Sequence, residues 1–133
     1  WTPIFDLSDA AKVNRINAAA EKQIDFAIGK VRDRVAGDFM PRKVPVFAAK
    51  IFYSLEYDAM RKTKHFAVED SCIGCGLCAR KCPVSAIRIE DGKPVWIKDK
   101  CAACLACLHH CPEFSIQYGN RTKGHGQYTH PGK

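Results

Sequence analysis

The stretch that decides the fold is Cys72-Ile73-Gly74-Cys75-Gly76-Leu77-Cys78-Ala79-Arg80-Lys81-Cys82-Pro83. It recurs in outline as Cys101-Ala102-Ala103-Cys104-Leu105-Ala106-Cys107-Leu108-His109-His110-Cys111-Pro112. Both runs are spaced C-x2-C-x2-C-x3-C-P, and together they use all 8 cysteines of the chain. Three thiolates two residues apart can wrap a tight loop around three corners of a polynuclear metal group, and the fourth sits where the chain reverses. Proline fixes φ and disfavours helix at the residue before it, so the short helix carrying Ala79-Arg80-Lys81 is predicted to stop near Cys82. Gly74 and Gly76 relieve steric limits where backbone N–H groups must turn toward sulfur.

Runs of this spacing hold [4Fe–4S] clusters, with the fourth Cys of each run ligating the other cluster. The expected ligand sets are therefore Cys72, Cys75, Cys78 and Cys111 for cluster 1, and Cys101, Cys104, Cys107 and Cys82 for cluster 2. Structural zinc favours two separated CxxC or CxxH pairs closing one tetrahedron, a poor match to three close cysteines and a proline-flanked fourth, twice over. A disulfide framework needs an oxidising compartment, and nothing in the chain signals export. No ligand position is taken by Asp or Ala, which favours two full cubanes over a [3Fe–4S] centre.

At 133 residues, one or two small domains are expected. The cluster region, about 55 residues, is too short to bury much apolar surface, so the clusters should serve as its core and the metal-free form should be unfolded. The net charge of +7 is unevenly spread: residues 1–68 hold 12 Lys/Arg and 8 Asp/Glu, residues 69–118 hold 6 of each, and residues 119–133 hold 3 cations and no acid. Eight thiolates and two oxidised cores of roughly +2 each would add about −4, giving an acidic centre between basic flanks. The basic excess is modest and no aromatic-basic interleaving accompanies it, so a nucleic-acid partner is not expected. A solvated surface or an acidic protein partner fits better. There is no signal peptide and no apolar run long enough to span a bilayer, hence the expectation of a cytoplasmic protein without a membrane span. The start Trp1-Thr2-Pro3, without an initiator Met, reads as a fragment of something longer.

The first segment reads as a helix capped by Ser8, Asp9 or Asp6. Val13, Ile16, Ala20, Ile24, Ala27, Val31 and Val35 form one apolar stripe at steps of three and four, a packing face rather than a coiled-coil seam, with Gly37 as C-cap. Met40 to Val46 is a break holding Pro41 and Pro45. A second helix starts near Pro45, runs through Phe47, Ala48, Ile51, Phe52, Leu55 and Ala59, and ends in Arg61, Lys62 and Lys64. A buried protein contact is expected for it in preference to a membrane surface. From Phe66 the period changes. Phe66–Val68 is a short strand, and Ile87–Glu90, Asp91-Gly92 and Lys93–Ile97 form a hairpin. A two-residue loop pairs Ile87 with Trp96 and Ile89 with Pro94, placing Ile87, Ile89 and Trp96 on one face against a cluster. The second run repeats the first at an offset of 29 (Cys72 to Cys101, Ile87 to Ile116), which predicts pseudo-twofold symmetry and pairing of Ile116–Tyr118 with Phe66–Val68. The resulting layout is a helical connector or docking segment over 1–65, a two-cluster domain over 66–118 and a basic Gly/His tail over 119–133, mobile or draped over the domain.

The cysteine runs closely resemble those of two-cluster bacterial ferredoxins. The resemblance implies an α+β bacterial-ferredoxin fold, pseudo-twofold βαβ repeats around two cubane clusters, here preceded by a two-helix segment. Gly92-Lys93-Pro94-Val95-Trp96, Cys104-Leu105-Ala106-Cys107, Ile116-Gln117-Tyr118-Gly119 and the tail from Arg121 to Pro131 are similar to the C-terminal part of flavodoxin–ferredoxin fusion proteins of anaerobic bacteria. In that family an FMN-binding flavodoxin-like domain precedes a helical connector and the ferredoxin module. The flavodoxin part has no counterpart here, since no phosphate loop or βαβ nucleotide pattern occurs, so no FMN site is expected in this chain.

These features together imply electron transfer through two [4Fe–4S] clusters, relaying electrons between a flavin domain and another, unidentified redox protein. The module would have no catalytic residues of its own and would form part of a larger oxidoreductase. The alternatives are an iron–sulfur subunit of a larger complex, docked through the helices, or a structural or nucleic-acid-binding protein stapled by clusters. His109 and His110 are candidates for a hydrogen bond to sulfur, with a packing role as the commoner use of such residues. Trp96 and Tyr118 are expected to cover the clusters.

Overall fold

The computed structural model describes residues 2–39 and 44–129. Trp1, the part of the proline break from Met40 to Lys43, and the tail from His130 onward lie outside the described residues.

Helix α1 spans Ala10–Arg32, with Asp9 as N-cap accepting the Lys12 N–H at 2.9 Å. It ends earlier than the Gly37 cap predicts. Asp33 is the C-cap, and Arg34 takes the left-handed φ of 51° that glycine usually supplies. The Arg34 and Val35 N–H groups turn back to the carbonyls of Val31 and Lys30 at 3.2 and 3.0 Å, satisfying two of the last free acceptors. Val35 therefore falls outside the helix. Among the described residues little buries the apolar stripe: Ile16, Ile24 and Val31 are all exposed, and of its members within α1 only Val13 is half-buried.

The second helical rod begins at Pro45, whose fixed φ suits an N-cap, and comprises α2 (Val46–Phe52), a π-helical turn (Tyr53–Tyr57) and α3 (Asp58–Met60). The π turn is one wide turn within an otherwise helical path, and it stacks Tyr53 on Tyr57 at 4.9 Å. A 3₁₀ turn at Thr63–His65 leads into β1, Phe66–Val68.

The remaining elements are α4 (Leu77–Arg80), β2 (Ile87–Glu90), β3 (Lys93–Trp96), α5 (Ala106–His109), β4 (Ile116–Tyr118) and α6 (Thr122–His125). They form two antiparallel pairs. β1 lies on β4 with Phe66 opposite Tyr118, and β2 lies on β3 with Ile87 opposite Trp96 and Ile89 opposite Pro94. The β2–β3 register is the one read from the sequence, and β1 and β4 pair as the repeat predicts. Asp91 and Gly92 both have positive φ, at 47° and 76°, the two-residue turn that twists with its strands.

The chain repeats itself bond for bond at the offset of 29. The Arg80 and His109 N–H groups bond to the Gly76 and Leu105 carbonyls, and the Ser85 and Phe114 N–H groups to the Cys82 and Cys111 carbonyls. Positive φ recurs at Gly74 and Ala103, at Gly76 and Leu105, and at Ser85 and Phe114. The units β1-α4-β2 and β3-α5-β4 meet over one core of Cys78, Ile87, Leu105, Cys107, Leu108, Ile116 and Tyr118. This mixture of short helices and small sheets is consistent with an α+β, ferredoxin-like fold.

The tail is draped over the second half. Thr122 is fully buried; its Oγ1 accepts the Tyr118 N–H at 3.0 Å and donates to Gln117 Oε1 at 2.7 Å. Gln127 donates to the carbonyls of Leu108 and Cys111, and Tyr128 Oη donates to Asn17 Oδ1 of α1 at 3.0 Å. The Leu7 N–H donates to the His125 carbonyl, so the tail also ties the N-terminal residues to the module.

Candidate metal centre

The fold gathers the eight cysteines around two cavities, and the chain reversals at Cys82-Pro83 and Cys111-Pro112 decide which goes where. One cavity is lined by Cys72, Cys75, Cys78 and Cys111, with Gly74, Ile89, Pro94, Glu113 and Ile116 in its wall. The other is lined by Cys82, Cys101, Cys104 and Cys107, with Phe66, Val84, Ile87, Trp96 and Leu105. Each cavity thus takes three thiols from one run and the last thiol of the other. Among the described residues no three His, Cys, Asp or Glu converge on one point as a single ion requires.

Backbone donors address the sulfurs. The Ala86 N–H reaches Cys82 Sγ at 3.2 Å, and its counterpart, the Ser115 N–H, reaches Cys111 Sγ at 3.3 Å. The Ala103 N–H reaches Cys101 Sγ at 3.3 Å. Such donors stabilise thiolates and the negative sulfurs of a cluster. Burial opposes them: it raises the Cys78 and Cys101 thiols above their usual range and pushes Cys107 up to about 12. These three buried thiols stay protonated when free, and bound cations would be needed to hold them as thiolates in so apolar a setting. The donor set and walls therefore fit iron–sulfur clusters. Cys75 and Cys104, at equivalent positions, are exposed, so each cavity has one edge open to solvent.

The cover residues divide. Trp96 lines the second cavity and stacks on Phe66 at 4.8 Å, whereas Ile89 lines the first. Tyr118 meets Phe66 edge-on at 5.0 Å, and its hydroxyl donates to the Met60 carbonyl at 2.8 Å, joining β4 to the second helical rod. Neither histidine aims its Nδ1 at sulfur. His109 Nδ1 accepts the Tyr128 N–H at 3.1 Å, and burial keeps this ring below its ordinary pKa, the neutral state an accepting Nδ1 requires. His110 Nδ1 lies 2.9 Å from the Ala106 carbonyl.

Sequence reasoning missed the anchoring of the second cavity to the helical rod. The Arg61 Nε donates to the Cys101 carbonyl at 2.8 Å, and the Cys101 N–H returns a bond to the Arg61 carbonyl at 2.9 Å. Thr63 adds bonds to the Lys98 and Asp99 carbonyls, and Lys100 pairs with Asp58 at 2.6 Å. The only hint was the cluster of cations at 61–64, which reads as a helix C-terminus.

Gly74 is the tightest point of the first cavity. Its φ is +69°, and a Cβ there would lie 2.6 Å from the Gly92 carbonyl oxygen of the hairpin turn. Gly74→Ala should cost about 2–4 kcal/mol, from a positive φ and a backbone collision that no side-chain rotation relieves. It should shorten the half-life of cluster absorbance under anaerobic chelator challenge. Ala103→Gly, at the equivalent site with φ 50°, should leave that half-life unchanged or lengthen it.

Residues 64–112, which hold all eight cysteines, match the family model of the 4Fe-4S dicluster domain. None of the curated proteins compared with the chain matches it. Among the described residues no helix is long and apolar enough to cross a membrane. Residues 64–112 therefore lie in an iron–sulfur, ferredoxin-like module, with [4Fe–4S] as its cofactor and electron transfer with redox partners as its chemistry.

Proposed function

We propose that this chain carries two [4Fe–4S] clusters and relays electrons between an FMN-bearing flavodoxin-like domain and a second redox protein. When bound, each cluster takes up and returns one electron. Cys72, Cys75, Cys78 and Cys111 hold one cluster, and Cys101, Cys104, Cys107 and Cys82 hold the other. The observation that carries this reading is the gathering of four thiols around each of two cavities, each set drawn from both runs. The backbone N–H groups of Ala86, Ala103 and Ser115 hold the sulfurs in place, and Phe66, Trp96 and Leu105 keep water from the second cavity. Crossed ligation keeps the clusters close enough for an electron to pass between them, with no proton donor or nucleophile needed.

On this reading residues 1–65 serve as connector, 66–118 as cluster domain and 119–133 as tail. The flavin partner is inferred from the resemblance of 66–131 to the flavodoxin–ferredoxin fusion proteins, and the basic connector would dock on an acidic face of it. Binding to such a domain should weaken as salt rises from low to physiological levels. A second reading, an iron–sulfur subunit of a larger complex, draws on one observation: Val46, Phe47, Ile51, Phe52, Tyr53 and Leu55 are all more than half exposed. A stoichiometric partner that co-purifies with the chain would favour it.

Iron and sulfide counts on the anaerobically purified protein, with spectra during dithionite reduction, test the main reading. About eight irons per chain and reversible bleaching are expected; fewer than about seven in fully occupied protein would sink the two-cluster assignment.

A further inference from the structure

The two cavities repeat each other in backbone but not in charge. Glu113 lines the first, and the residue at the same place in the second is Val84. Arg80 donates to the Cys75 carbonyl at 3.0 Å beside the first cavity, but Arg80 and Glu113 are of opposite sign and both exposed, so they offset and are screened. Beside the second cavity lies Arg61, half-buried and held on both sides. Its Nε bonds the Cys101 carbonyl at 2.8 Å, and its guanidinium lies over the Tyr57 ring at 5.6 Å. Lys98 Nζ donates to the carbonyl of Val84 in the cavity wall at 2.6 Å. The neighbouring carboxylate, Asp58, is engaged by Lys100.

We propose that Arg61, seconded by Lys98, sets the cluster held by Cys82, Cys101, Cys104 and Cys107 at the higher reduction potential of the two. The inference rests on the two-cluster reading above. Adding an electron makes a cluster more negative, and a fixed cation beside it favours that state most where solvent screens least. Arg61 keeps its charge at any working pH. The first electron to enter the module therefore settles at the second cavity, the one bonded to the helical rod, and Arg61 is a positioning residue for it.

Spectropotentiometry of the iron-loaded protein, with dithionite as reductant, tests this. Wild type should show two one-electron couples. Arg61→Gln should lower the higher couple and leave the other in place, Arg61→Lys should restore most of the shift, and Lys98→Gln should lower the same couple by less. The lower couple moving instead, both moving together, or neither moving in either the Arg61→Gln or the Lys98→Gln protein would overturn the proposal. Should Arg61→Gln lose iron, Lys98→Gln, altered only at an exposed contact, decides it by the same criterion. A wild-type iron count near four would instead overturn the two-cluster reading, a different failure from an unmoved couple at full iron.

Discussion

The double variant Cys72→Ala/Cys111→Ala should keep one [4Fe–4S] couple unchanged and about half the iron, whereas Cys72→Ala/Cys82→Ala should keep no intact couple. The two proteins lose the same number of thiols, so the difference isolates the wiring. Cys72 and Cys111 share one cavity wall, and on the proposed crossed ligation removing both would strip two ligands from a single cluster. Cys82 lines the other cavity, so pairing its loss with that of Cys72 takes one ligand from each cluster. Were each run to ligate its own cluster, the outcomes would exchange: the Cys72/Cys82 variant would retain the intact couple. Potentiometry separates the cases even where a three-ligand site keeps part of its iron, because such a site no longer shows the original couple. Alanine is chosen over serine because a serine oxygen could still bind iron.

How much of this was legible in the sequence depended on whether the determinant was local. The cysteine sets follow from spacing, because a three-residue step to a Cys-Pro reversal leaves the fourth thiol outside its own loop. The hairpin register followed from Asp91-Gly92, since a two-residue turn leaves one pairing open to its strands. The end of α1 did not follow. Glycine is the usual signal for a left-handed cap, and here Arg34 takes that conformation while Gly37 lies beyond it. The π turn at Tyr53–Tyr57 leaves the apolar pattern of its helix intact and so left no mark. The left-handed φ at Ala103 and Leu105 is legible only through the offset of 29, which maps them onto Gly74 and Gly76; read alone, alanine and leucine argue against it. The packing of Gln127 and Tyr128, and the Arg61–Cys101 pair, join residues that are distant in sequence through backbone groups every residue carries. Composition cannot flag such bonds.

Removing the iron should unfold the cluster domain. The core that joins its two halves has seven members, of which Cys78 and Cys107 are two, and the remaining five are few for a domain of this size. Five more cysteines, Cys72, Cys75, Cys82, Cys104 and Cys111, are exposed or half-buried around the cavities and gain a fixed place only from what they bind. Left-handed φ at Ser85, Ala103, Leu105 and Phe114 disfavours the same loops, at roughly 1–2 kcal/mol each for residues other than glycine. Cluster ligation must outweigh that strain as well as the entropy of ordering the chain. Anaerobic chelation should therefore abolish the near-ultraviolet circular dichroism of the Phe66–Trp96–Tyr118 cluster and collapse amide dispersion across 66–118. Ferrous iron and sulfide under reducing conditions should restore both. Reassembly should also release protons, because the free thiols of an unfolded chain are largely protonated near neutral pH and bind metal only as thiolates, so uptake should slow as pH falls. Well-dispersed amides in iron-free protein would show instead that the apolar core stands alone, with the clusters mere passengers in a preformed fold.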